Sequence, residues 1–92
     1  MKKYRIVPTA QYRKDLKRMI RQHKDLHELE IVIDKLSNGS KLDAKYRDHS
    51  LKNGNGVRDC HIEPDWILLY KYGEETISLI LMRTGSHAEL SL

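Results

Sequence analysis

The chain has 92 residues, of which 39% are hydrophobic and 33% charged, and 17 basic against 13 acidic side chains give it a formal charge of +4. That length allows one domain over residues 1–92 with a small shared core, and the composition excludes a disordered chain. The lone Cys60 excludes an internal disulfide framework, while the modest positive charge biases the surface towards polyanions without naming one. No signal-peptide-like stretch opens the chain, and the longest apolar run, residues 66–70, is far below the ~20 residues of a membrane span. A soluble protein of a reducing cytoplasm is expected.

Residues 3–7 read as a short strand with Tyr4 and Ile6 on one face, after which Pro8-Thr9 offers a break and a helix N-cap. From residue 10 to about 22, Tyr12, Leu16, Met19 and Ile20 form an apolar stripe, and Arg13, Lys14, Lys17, Arg18 and Arg21 fill the remainder. That basic face fits a solvated surface by default and a docking surface for RNA or ribosome if the chain works on RNA. Asp25 and Glu28 have capping-box spacing, and Leu29, Val32, Ile33 and Leu36 continue the helical period until Asn38-Gly39 stops it. Two such helices joined by a few residues are expected to lie antiparallel. Residues 40–56 show no sustained period and read as a long loop ending in the Asn53-Gly54-Asn55-Gly56 turn. Three β-rich runs follow, at 57–63, 66–72 and 76–83, separated by Pro64-Asp65 and Gly73-Glu74-Glu75, which predicts an antiparallel meander. The fold class is therefore α+β: a short N-terminal strand, two antiparallel helices, and a β-meander packed against them.

Five histidines are many for so short a chain, and His49, His61 and His87 fall in or beside the meander half. Imidazoles exchange protons near neutrality, so two of them flanking a phosphodiester could cleave RNA without metal, the 2′-hydroxyl serving as nucleophile. Arg83, at the end of the last strand, is a suitable cation for the charge building on the phosphorus oxygens. Each residue also has a plainer reading: a strand-flanking histidine bonded to backbone, an Asp65 that only shapes its turn, a Trp66 and Tyr70 that only fill the sheet. Metal binding by Asp59, Cys60, His61 and His49 is disfavoured because adjacent strand residues face opposite ways and no ligand motif appears. His23 and His27 straddle the junction between the helices and read as solvated.

The stretches Tyr46-Arg47-Asp48-His49-Ser50-Leu51, Arg58-Asp59-Cys60-His61-Ile62-Glu63-Pro64-Asp65-Trp66-Ile67-Leu68-Leu69-Tyr70 and Arg83-Thr84-Gly85-Ser86-His87-Ala88-Glu89-Leu90 together resemble the YafQ branch of the RelE superfamily. The resemblance runs over the whole chain. It implies a RelE-like fold and the toxin of a type II toxin-antitoxin system: a metal- and cofactor-independent endoribonuclease that cuts messenger RNA in the 30S A site of the ribosome. It further implies a cognate antitoxin partner, with operator DNA as a target of the antitoxin complex. By matching motif, His49, His61, Asp65, Arg83 and His87 become the catalytic set, with Trp66 in the site's wall; Arg58 and Lys52 are expected as substrate-binding cations. His87 is expected as general acid, Arg83 as transition-state cation, His49 and His61 as sharing base and phosphate positioning, and Asp65 as orienting an imidazole. Similar proteins commonly carry a phenylalanine just after position 90, where this chain ends Ser91-Leu92, so a base-stacking contact worth about 1–3 kcal/mol is missing or replaced. The competing reading is a non-catalytic, ParE-like module or co-repressor of the same fold, for which the histidines need not converge.

Overall fold

The computed structural model describes residues 3–52, 54–73 and 77–92. In chain order it contains β1 (Arg5–Pro8), α1 (Ala10–Arg21), α2 (Leu26–Ser37), a 3₁₀ turn (Ala44–Tyr46), β2 (His49–Ser50), β3 (Arg58–Glu63), β4 (Trp66–Tyr72) and β5 (Ser78–Gly85). The last expected strand begins two residues later and runs two residues further than the sequence period suggests, and Thr76, Glu74 and Glu75 lie outside the described residues.

Thr9 is the hinge of the N-terminal half. Its extended backbone and its Oγ1, which accepts from Tyr12 N at 3.0 Å, cap α1, while the same hydroxyl donates to Met82 O at 2.9 Å. Asp25 caps α2 by accepting from His27 N at 3.0 Å, but the box is not reciprocal: the Glu28 carboxylate faces the Tyr46 hydroxyl at 3.5 Å.

The sheet has the order β1-β5-β4-β3-β2, so it is mixed rather than a bare meander. β3, β4 and β5 pair antiparallel as the sequence suggests, and β1 joins them parallel to β5, with Arg5 opposite Ser78 and Pro8 opposite Leu81. The expected structureless loop contributes its own edge strand, because His49 and Ser50 pair with Asp59 and Arg58. A bulge lies where Leu69 pairs with Arg83 but Tyr70 with Leu81. The extra residue keeps Leu81 and Thr84 buried while Arg83 turns towards the other face.

Tyr12 and Met19 from α1 and Leu29, Val32 and Leu36 from α2 pack on Cys60, Trp66, Leu68, Tyr70, Leu79 and Leu81 of the sheet, with Leu42 and Tyr46 closing the core from the loop. Ile20, expected in the stripe of α1, is 51% exposed, and Asp15, five residues earlier, is buried at 0%. Complete burial of an apolar side chain such as Met19, Val32 or Leu79 is worth about 1.5–3 kcal/mol, so packing carries the fold; burial also pushes the Cys60 thiol far above its ordinary range. Among the described residues, no helix is long and apolar enough to cross a membrane.

Candidate active site

In an antiparallel ladder, residues directly opposite share a face, and every second residue returns to it. His61, Ile67 and Gly85 form one such row across β3, β4 and β5, and His49, Asp59, Leu69 and Arg83 form the next across β2 to β5. Cys60, Leu68 and Thr84 lie between them and point into the core beneath the helices. The sheet thus delivers two histidines, a carboxylate and an arginine to the face away from the core.

His87 arrives by a different route. Gly85 ends β5 opposite Ile67, next to the Pro64-Asp65 turn, so the residues after it are delivered beside Asp65. There Asp65 Oδ1 accepts from the His87 backbone N–H at 2.9 Å and from its ring Nδ1 at 2.6 Å. Those two donations, the backbone one first, hold the Asp65 carboxyl below the usual carboxylate range even though it is open to solvent. The far side of the ring, Nε2, lies 3.4 Å from Nε2 of His61, and His61 Nδ1 faces Asp59 Oδ1 at 3.5 Å. His49 completes the group: its ring centre is 6.4 Å from that of His61, and its Nδ1 contacts Arg47 O at 2.7 Å. A carbonyl only accepts, so His49 Nδ1 carries a hydrogen and Nε2 of the neutral ring presents its lone pair.

Arg83 shares the sheet face with this group but makes its bonds elsewhere. Its Nε and Nη2 donate to the two oxygens of Asp15 at 2.8 and 3.2 Å, and the Thr84 N–H donates to the same carboxylate at 3.2 Å. The β1 ladder stops at Pro8, opposite Leu81, so Asp15 on α1 satisfies the edge of β5 where the neighbouring strand has run out. Burial alone would raise the Asp15 pKa, but the bonds from Arg83, Thr84 and Gln11 outweigh it and hold the carboxyl below its ordinary value.

Three expectations change here. Trp66 is 0% exposed, so it cannot form a wall against which a base stacks; its indole Nε1 donates to Thr84 Oγ1 at 2.8 Å inside the core. Strand alternation explains this, since Trp66 precedes Leu68 and Tyr70 on the helix-covered face. Arg58 is not a free cation: it grips Asp48 with Nε and Nη2 at 3.2 and 3.3 Å and Ser50 Oγ with Nη1 at 2.9 Å, bracing β2 on β3. Arg18 leaves the basic stripe of α1, because it donates to Thr84 O at 3.2 Å and approaches Glu89. Lys52, by contrast, is exposed after β2.

A cleft of about 340 Å³ opens beside His61, with Lys45 and Arg47 against Glu28 and Glu63 on its walls. Sequence reading gave Lys45, Glu63, Asp15 and Glu89 no role. Only Asp15 left a signal, a charge on an apolar stripe three residues after Tyr12. Among the described residues, no group of three or more His, Cys, Asp or Glu side chains is arranged to hold a metal ion.

A family profile described as the bacterial toxin of a type II toxin-antitoxin system, YafQ, matches residues 4–92. The chain belongs to the YafQ toxin family. It is 42% identical over 84 residues to the mRNA interferase toxin YafQ of Escherichia coli K12, covering 89% of each protein. The toxin in the crystal structure of the E. coli DinJ-YafQ toxin-antitoxin complex superposes with a TM-score of 0.87 at 41% identity, covering 96% of this chain and 97% of that one. A metal-bound toxin from Helicobacter pylori gives a TM-score of 0.90 at 38% identity, with 95% and 98% covered. The YafQ match includes all three motif blocks, and the α+β fold with its mixed sheet is that of these toxins.

Proposed function

We propose that this YafQ-family toxin is an mRNA interferase that cuts message in the ribosomal A site by acid-base catalysis, with the 2′-hydroxyl as nucleophile. The observation that carries the reading is the continuous chain Asp65–His87–His61–Asp59, with His49 beside it. A non-catalytic module has no use for three imidazoles converging on one open sheet face.

Two hydrogen bonds run along this chain, from His87 Nδ1 to Asp65 Oδ1 and between the Nε2 atoms of His87 and His61. His61 Nδ1 and Asp59 Oδ1, 3.5 Å apart, lie in ion-pair contact outside hydrogen-bond geometry. In the reaction His49 Nε2 removes the 2′-proton, the 2′-oxygen attacks phosphorus, and His87 Nε2 delivers a proton to the departing 5′-oxygen. The products are a 2′,3′-cyclic phosphate and a 5′-hydroxyl. His61 holds the proton His87 needs, and Asp65 fixes the His87 ring. Arg83, with Nε and Nη2 occupied by Asp15, offers Nη1 to the phosphoryl oxygens, while Lys52 and the cations Lys45 and Arg47 beside the cleft attract the strand.

The remaining basic residues of α1, Arg13, Lys14, Lys17 and Arg21, suit a polyanionic ribosomal surface, and a cognate antitoxin holds the toxin inactive in the cytoplasm. That antitoxin complex is proposed to bind operator DNA. Purified toxin incubated with programmed ribosomes and, separately, with the same naked transcript tests the reading. Cuts in register with the A-site codon on ribosomes, and none on naked RNA, are expected. Equal cutting of both would reduce the chain to a free nuclease, and no cutting of either would favour the ParE-like alternative.

A further inference from the structure

His87 occupies the second position of the sequence Ser86-His87-Ala88-Glu89, and that sequence closes on itself: Ser86 N donates to Glu89 Oε1 at 2.8 Å and Glu89 N to Ser86 Oγ at 3.1 Å. The reciprocal pair has the form of a capping box, so the turn that carries His87 has a defined shape. The other carboxylate oxygen of Glu89 faces α1. It accepts from Gln22 Nε2 at 3.0 Å and lies 2.9 Å from Arg18 Nε, an ion-pair contact angled outside hydrogen-bond geometry.

Arg18 in turn connects three parts of the molecule. Its Nη2 donates to Thr84 O at 3.2 Å and sits 3.3 Å from the buried Asp15 carboxylate, while its Nε is beside Glu89. Gly85 lies in the middle of these contacts. A Cβ there would stand 2.8 Å from Arg18 Nη2 and 3.1 Å from Glu89 Oε1, so any side chain at this position would have to displace the ends of both. The bond from Ser86 N, then that from Gln22 and the nearby charge of Arg18, keep the Glu89 carboxyl below its ordinary range. On its other side Asp65 holds the same turn by taking the His87 backbone N–H and ring.

We propose that Arg18 and Glu89 form a positioning clamp for His87, by which α1 fixes the general acid against Asp65 and His61. The proposal rests on the acid role given to His87 above. A capping box restrains the turn locally but not its place on the sheet; the Arg18 and Gln22 contacts supply that second restraint. Misplacement of a reacting group by about 1 Å is enough to cost on the order of 10²-fold in rate.

The test is a double-mutant cycle read by single-turnover cleavage of message on programmed ribosomes. Glu89→Ala and Arg18→Met each lower kcat about 10- to 100-fold with KM within about twofold, since binding is untouched. Glu89→Gln, whose single carbonyl oxygen keeps the bond from Ser86 N while its NH2 faces Gln22 and Arg18, recovers part of the loss. In a His87→Ala background, Glu89→Ala lowers the residual rate by less than about twofold, because the clamp then has nothing to position. The same proportional loss in both backgrounds, or no loss in the wild type, overturns the clamp. A His87→Ala protein that cuts at the wild-type rate overturns the acid role instead, and the clamp with it. A second readout needs no activity: the Nδ1–H resonance of His87 in ¹⁵N-labelled toxin is expected to shift or broaden in Glu89→Ala, and an unchanged resonance contradicts the proposal.

Discussion

His87→Ala lowers the single-turnover rate of cleavage on programmed ribosomes by roughly 10²- to 10⁴-fold, the span a positioned general acid contributes, and leaves the melting temperature almost unchanged. The rate falls because the departing 5′-oxygen then has no proton donor, and a leaving alkoxide in water is a poor substitute. The fold is spared because nothing in the core depends on the ring. The His87 side chain is 42% exposed and its partner Asp65 is 70% exposed, so the carboxylate left behind is simply rehydrated. His61 loses a neighbour at 3.4 Å but keeps Asp59. Comparable loss of rate and of folded protein would mean that the ring acts as a structural post. A wild-type rate would remove His87 from the reaction.

Asp15→Ala destabilises the fold by about 2–4 kcal/mol, which in a domain of this size lowers the melting temperature by roughly 10–25 °C. The carboxylate is 0% exposed and receives Arg83 Nε and Nη2, the Thr84 N–H and Gln11 Nε2, with Arg18 Nη2 at 3.3 Å. Removing it strands a buried backbone donor at the end of the β1 ladder, worth about 1–3 kcal/mol by itself. The rest comes from Arg83, discounted because its side chain is 34% exposed and regains water in part. Asp15→Asn keeps an acceptor and loses about half as much.

The pH dependence separates the wild type from Asp15→Asn. Asp15 titrates lower in the folded chain than its ordinary 3.8, so its contribution is complete above that value and is lost as pH falls through the folded pKa. The wild type therefore sheds stability in acid more steeply than Asp15→Asn, a difference visible in thermal melts taken below about pH 4. Parallel curves would show that the Asp15 charge does not stabilise the fold.

The helices and the meander are legible in the sequence because burial of one face imposes a period that local residues repeat. Tyr12, Met19, Leu29, Val32 and Leu36 all lie where the 3.6-residue period puts them, in the core. Short elements are legible only in part: a strand is expected at 3–7 and β1 forms at Arg5–Pro8, but its partner is not given by the chain around it. β1 is four residues long and its parallel pairing with β5 is decided 73 residues away, where Arg5 meets Ser78; β2 has only two residues and exists through its bonds to β3. Ile20 and Asp15 change places in the expected burial because tertiary hydrogen bonding makes Asp15 a core residue, which hydrophobicity does not register.

The site divides in the same way. His49, His61 and His87 have no common spacing; their place in the meander half and their motif likeness gather them, and the register shows why they meet: two lie in adjacent rows of one sheet face, and the third follows the strand that ends beside Asp65. Trp66 sits next to Asp65 in sequence but turns to the opposite face, so neighbourhood along the chain misled where alternation would have served. Arg58 and Arg18 count as surface charge in composition, and only the folded structure commits them to Asp48, Ser50, Thr84 and Glu89.

One measurement bears on all of this most directly: a message carrying a single 2′-deoxy sugar immediately 5′ of the cut phosphate, placed in the A site of purified ribosomes and exposed to the wild-type toxin. Loss of the cut at that phosphate alone, with the all-ribose control ending in a 2′,3′-cyclic phosphate, is the predicted result. Cleavage of the deoxy message at the control rate, leaving a 5′-phosphate, would show that the attacking oxygen comes from water and that the histidines serve some other chemistry.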